Sequence, residues 1–278
     1  MPSSRSRSPV PIYTATVCAI FAISAAANAV IIFDDGLVHT IDTGLITDDV
    51  RVTDSQGGAS TTLNLGGDVE QTSGEITLFD SSILSVSGSA ALGGISAIDD
   101  SDVTISGGTI DGKLAVVGDS YAVMTGGDLL RDVGADSIFV AGRMDISGGV
   151  IGGEVVSTIT GNLQAVINIS GGHFFGRINT NGGIYNITGG EFFNDLLCQG
   201  SGSITIIGSS FNFPFGDIIP TSGTLTGILA DGTPLDVDFF RHSSAMITLP
   251  EPSALAALGP GIAMLALLYR RRRHSVER

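Results

Sequence analysis

Through the middle of the chain aliphatic and polar residues alternate with a period of two, and each run stops at a glycine pair. The unit is an aliphatic, any residue, an aliphatic, Ser or Thr, Gly-Gly, any residue and then an apolar residue. It stands as Val103-Thr-Ile-Ser-Gly-Gly-Thr-Ile110, Met144-Asp-Ile-Ser-Gly-Gly-Val-Ile151, Ile167-Asn-Ile-Ser-Gly-Gly-His-Phe174 and Tyr185-Asn-Ile-Thr-Gly-Gly-Glu-Phe192. Looser copies begin at Leu63, Leu84, Ala122 and Ile204. Their first glycines, Gly66, Gly88, Gly107, Gly126, Gly148, Gly171, Gly189 and Gly208, recur every 18 to 23 residues, the length of one solenoid turn. Alternation turns Val103 and Ile105 inward and Thr104 and Ser106 outward. The glycine pair suits a corner that needs positive φ or a close backbone approach. A single coil of this kind has no core, and stacking creates one.

The pattern predicts an all-β fold, a right-handed parallel β-helix over residues 61–217. About eight rungs at roughly 4.8 Å make a rod on the order of 40 Å long. A repeat of about 20 residues is too short for a four-stranded propeller blade. Beyond the last copy Pro214 interrupts the apolar run Phe211-Asn-Phe-Pro-Phe-Gly216. Residues 218–249 then read as two strands joined at Asp231-Gly232, a hairpin cap for an end whose unpaired edges invite aggregation. Residues 30–60 are assigned to a cap at the other end.

Both termini depart from the repeat. Arg5 and Arg7 precede an apolar run from Val17 to Ile23 and then the small residues around Ala27 and Ala29. That is the order of a secretory signal peptide spanning residues 1–29, with cleavage after Ala29. At the other end residues 253–269 form an uncharged stretch at the lower limit for a transmembrane helix. Arg270, Arg271, Arg272 and Arg273 follow at once. Basic residues hold that flank of a helix in the cytoplasm, which leaves the body outside.

Directly before the apolar stretch stands Pro250-Glu251-Pro252. The tripeptide, the helix and the basic cluster together resemble the PEP-CTERM sorting signal of Gram-negative bacteria, over residues 250–278. Leu249 stands where that family commonly has Val. The resemblance implies recognition by an exosortase, a membrane enzyme that removes the helix and basic cluster after export. It also implies a destination at the cell surface or in the matrix, commonly in bacteria that make extracellular polysaccharide. The glycine-rich body is similar to the β-helical region of other proteins that carry such tails.

Charge narrows the partners. The formal net charge is −15, and residues 30–250 hold 6 Lys/Arg against 26 Asp/Glu. Such a body repels phosphate backbones, which excludes nucleic acid as a partner. Cys18 falls in the signal peptide, so Cys198 is left alone and reads as a small buried hydrophobe. No cofactor is expected. Among catalytic candidates, the pairs Asp34-Asp35, Asp48-Asp49 and Asp99-Asp100 are adjacent in sequence, and adjacent residues on a strand point to opposite faces. Lys113 is the only lysine, too few cations for a lyase acting on acidic sugars. Asp99, Asp100 and Asp102 are weak calcium candidates, because the repeat lacks the Gly-Gly-x-Gly-x-Asp spacing of a calcium β-roll. His39, His173 and His242 stand apart from one another and have no cysteine partner. The expectation is a non-enzymatic surface or matrix protein that is structural or adhesive. A β-helical polysaccharide lyase or hydrolase is the alternative.

Overall fold

The computed structural model describes residues 30–132, 134–160 and 163–251. The signal peptide expected at 1–29 and the helix expected at 253–269 lie outside them. Among the described residues every regular element is a β-strand, and these wind into a solenoid of about nine turns.

Each turn crosses three faces, and parallel pairing keeps equivalent positions in register from coil to coil. On the first face Val50, Ile76, Ile95, Leu114, Ile138, Val155, Ile178, Leu196 and Phe239 stack inward. On the second face Leu63, Leu84, Val103, Ala122, Met144, Ile167, Tyr185, Ile204 and Ile247 do the same. The third face is short and stacks Leu92, Ile110, Leu129, Ile151, Phe174 and Phe192. All of these except the partly buried Phe192 are sealed from solvent. Burying each aliphatic contributes about 1.5–3 kcal/mol, which a single coil cannot realise without its neighbours.

The glycine pair divides its work between two constraints. A Cβ on Gly171 would lie 2.5 Å from the Ser147 carbonyl oxygen of the preceding coil, while Gly172 adopts φ +105°. One glycine lets adjacent coils touch, and the other turns the chain onto the third face. At a different corner, between the first and second faces, Thr61, Ser82, Ser101 and Ser120 are fully buried. Ser82 Oγ donates to the Phe79 carbonyl at 2.7 Å, and Ser120 Oγ to the Val117 carbonyl at 2.7 Å. These small hydroxyls close their own corners from inside.

Parallel coiling starts earlier than the recognisable repeats. Val30–Phe33 already pairs with Asp49–Val52, and Val38–Ile46 with Thr62–Gln71. Residues assigned from sequence to an N-terminal cap therefore build the first rungs.

At the other end Ser222–Leu229 and Pro234–Arg241 form an antiparallel hairpin. Its second strand is also the next rung of the first face, because Phe239 pairs with Leu196. Its tip covers the place where the third face stops: Ala230 N–H donates to Ile207 O at 2.9 Å, and Asp231 N–H to Thr188 O at 3.0 Å. The Asp231 carboxylate accepts the Gly190 N–H at 3.1 Å and both the Thr233 amide and hydroxyl. Burial alone would raise the Asp231 pKa, but these bonds hold it below the usual 3.8. A depressed folded-state pKa stabilises the fold above the unfolded value and stops doing so as pH falls through the folded one. The cap is therefore expected to loosen as pH falls below about 4. Hydrogen exchange at the Gly190 and Thr233 amides should accelerate there in the wild type, and at neutral pH already in Asp231→Ala.

Candidate functional site

Of the residues singled out for sorting, Pro250 and Glu251 follow directly on the last strand, Met246–Leu249. Pro250 is half-buried against the rod and Glu251 is exposed. Pro252, Arg270, Arg271, Arg272, Arg273 and the signal residues Ala27 and Ala29 lie outside the described residues.

The calcium candidates do not assemble a cage. Asp99 sits at φ +64°, and its carboxylate accepts the Asp80 N–H at 3.4 Å. Among the described residues no group of three or more His, Cys, Asp or Glu side chains is placed to hold a metal ion. The histidines stay apart too. His39 pairs with Asp35 at 2.9 Å, His173 with Glu191 at 2.9 Å, and His242 bonds Ser244 at 2.9 Å. Cys198 is buried under the last rungs, where burial pushes its thiol up to about 11. A thiol held protonated and enclosed is a poor nucleophile.

Stacking turns single outward residues into ladders. On the second face Asn186 donates to Asn168 at 2.8 Å, Asn168 donates to Asp145 at 2.6 Å, and the Tyr121 hydroxyl donates to the other Asp145 oxygen. Burial, and then the Asp145 bond, raises the Tyr121 pKa far above its ordinary value, so the phenol stays a donor. On the first face Arg177 bridges Glu154 at 3.8 Å and Asp195 at 3.4 Å across three successive rungs. Its guanidinium takes the rung between the two carboxylates, the space a glycosidic bond would need. Beside it Phe175 and Phe193 stack at 4.8 Å between centroids while remaining exposed.

The corners between the first and second faces differ in length along the rod, and one run of three differs sharply from coil to coil. Residues 118–120 make one corner and Gly142 alone makes the next, while in the one after the first face runs to Thr158 and the second begins at Val166. Gly142 is required there, since a Cβ would meet the Ser120 carbonyl oxygen at 2.8 Å and that of Gly118 at 3.1 Å. The long corner pairs Ile159 with Gln164 and Thr160 with Leu163 into a small antiparallel projection. A recessed corner beneath a projecting one leaves a cleft of about 200 Å³. Asp119, Gly142, Arg143, Leu163 and Gln164 are among its lining residues. A larger hollow of about 370 Å³ lies where the hairpin joins the coils, beside Arg241. There the guanidinium is already committed to the carbonyls of Ala245 and Ile219, each at 2.7 Å. The smaller cleft keeps its polar groups freer and is the better-built site.

No family model, no curated protein and no solved structure matches this chain.

The cleft is not legible in the repeat pattern, because it arises between coils. One half of it leaves a mark in the spacing: the Gly148 to Gly171 interval, 23 residues against 18 for the next, carries the Ile159 and Thr160 pairing with Gln164 and Leu163.

Proposed function

We propose that this chain is an exported surface or extracellular-matrix protein, structural or adhesive rather than catalytic. In this reading a signal peptide is removed after Ala29, and the C-terminal tail holds the body at the membrane until an exosortase cuts it. The acidic solenoid then faces the extracellular polymer. Its coils take the right-handed sense that parallel crossovers nearly always adopt, and the terminal rungs and hairpin act as caps.

The observation that supports the reading is the place of the Pro-Glu-Pro tripeptide relative to the last described strand. The last described rung ends at Leu249 and Glu251 is exposed, which suits recognition of the tripeptide by a membrane enzyme. The ladders support a passive role as well. Asp145 is hydrogen-bonded by Tyr121 and Asn168, and Glu154 and Asp195 share one arginine, an arrangement suited to holding shape rather than to moving protons.

Fractionation of cells carrying Glu251→Ala tests the sorting step. The wild type is expected in the outer envelope or the medium, with the variant retained in the inner membrane. An identical distribution of the two would overturn the role given to Glu251.

A further inference from the structure

We propose that the cleft between the Gly142 corner and the strand pair of Ile159 and Thr160 with Leu163 and Gln164 binds one neutral pyranose unit of an extracellular glycan. The inference rests on the reading of the protein as a partner of the polymer layer only for its choice of ligand class. The site itself is argued from geometry.

Arg143 and Asp119 line the same cleft, yet no ion pair within 4.0 Å joins them. Among the described residues neither takes part in a side-chain hydrogen bond. The Arg143 guanidinium is held by stacking over the Tyr121 ring at 5.3 Å, and Tyr121 is in turn fixed by its bond to Asp145. A planar donor and a carboxylate acceptor therefore stand at the same cleft, neither engaged in a side-chain hydrogen bond among the described residues. Gln164 spends its amide N–H on Gly182 O at 2.8 Å, which leaves its oxygen as a further acceptor. Leu163 adds an exposed apolar surface from the projection.

Opposite charges that share a cleft without touching suit a ligand that accepts from one and donates to the other. Hydroxyl groups do both, and vicinal hydroxyls on one ring present the two roles side by side. The two charges sum to zero, and nearby Asp145 is acidic, so a neutral ring fits where a second carboxylate would be repelled. At about 200 Å³ the cleft is below the roughly 300–1,000 Å³ of sites for drug-sized ligands, a scale suited to one sugar ring rather than an oligosaccharide. Insertions in solenoid coils commonly fall on the binding face, and this projection is such an insertion.

The test is ligand-observed saturation-transfer NMR on the full-length chain in detergent, with glucose, galactose, mannose and glucuronate at millimolar concentration. At least one neutral hexose should give transfer in the wild type. The signal should fall about tenfold in Arg143→Ala, the loss expected for hydrogen bonds to a charged group. It should also fall in Leu163→Asp and persist in Arg51→Ala, whose cation stacks on Phe79 on another part of the rod. Circular dichroism of each variant separates loss of binding from loss of fold. Absence of transfer from every neutral hexose, transfer from glucuronate alone, or equal signals in all folded variants would overturn the site. Because the titration is independent of export, its failure would leave the sorting reading intact, and failed sorting would leave the cleft intact.

Discussion

Gly176→Ala is expected to destabilise the protein by about 3 kcal/mol or more. A Cβ at this position would fall on the carbonyl group of Gly153 in the preceding coil and lie 2.7 Å from the Glu154 amide nitrogen. Both are backbone atoms of a paired rung, so no rotamer relieves the contact and the coils must separate. The useful comparison is Gly232→Ala, in the hairpin turn. There a Cβ meets open space and the penalty comes only from φ +92°, about 1–2 kcal/mol. Urea denaturation followed by far-ultraviolet circular dichroism ranks the two. A Gly176→Ala variant no less stable than Gly232→Ala would contradict the close stacking of coils at this corner.

Phe239→Ala should cost about 3–5 kcal/mol, the range for emptying a buried aromatic site. Phe239 is fully buried, packs edge-on against Phe213 at 5.7 Å, and sits in register over Leu196. It thus fastens the hairpin to the first face. With that contact gone the hairpin is expected to lift and bare the strand edge of Leu196–Gln199, so light scattering should rise together with the loss of stability. The neighbouring Phe240, half exposed on the other side of the same strand, is the control. Phe240→Ala should stay within about 0.5 kcal/mol of the wild type. Equal effects at the two positions would mean that the hairpin does not close the rod through Phe239.

The coils were legible because their cause is local. Alternation of Val103, Thr104 and Ile105 assigns faces without any knowledge of neighbours, and the Gly-Gly of each copy marks a corner. The hairpin turn at Asp231-Gly232 was legible for the same reason. What the sequence did not disclose depends on which residue lies one coil away. Val30–Phe33 and Val38–Ile46 lack the repeat signature, yet they pair as rungs because Asp49–Val52 and Thr62–Gln71 offer them an edge. Ser82 and Ser120 are buried although polar, and each bonds a carbonyl three residues back within its own corner. Arg177 is flanked by glycine and isoleucine in the chain, and its partners Glu154 and Asp195 become neighbours only through stacking. The cleft has the same origin. Neither the single-residue corner at Gly142 nor the projecting pair of Ile159 and Thr160 with Leu163 and Gln164 makes a hollow alone, and the hollow exists because they lie on consecutive coils.

The cleft and the tail place different demands on the chain. In the proposed account, binding at the cleft depends on Arg143 and on a Tyr121 ring held by Asp145, residues that lie on two successive coils. Delivery in that account depends instead on the sequence of residues 250–278, after the strand Met246–Leu249. Substitutions in one are therefore expected to leave the other untouched.

The most direct test of the central claim is the intact mass of the protein recovered from its native envelope. The account predicts a species that begins at Val30 and lacks residues 253–278. A mass corresponding to the whole chain, with both terminal segments retained, would contradict it.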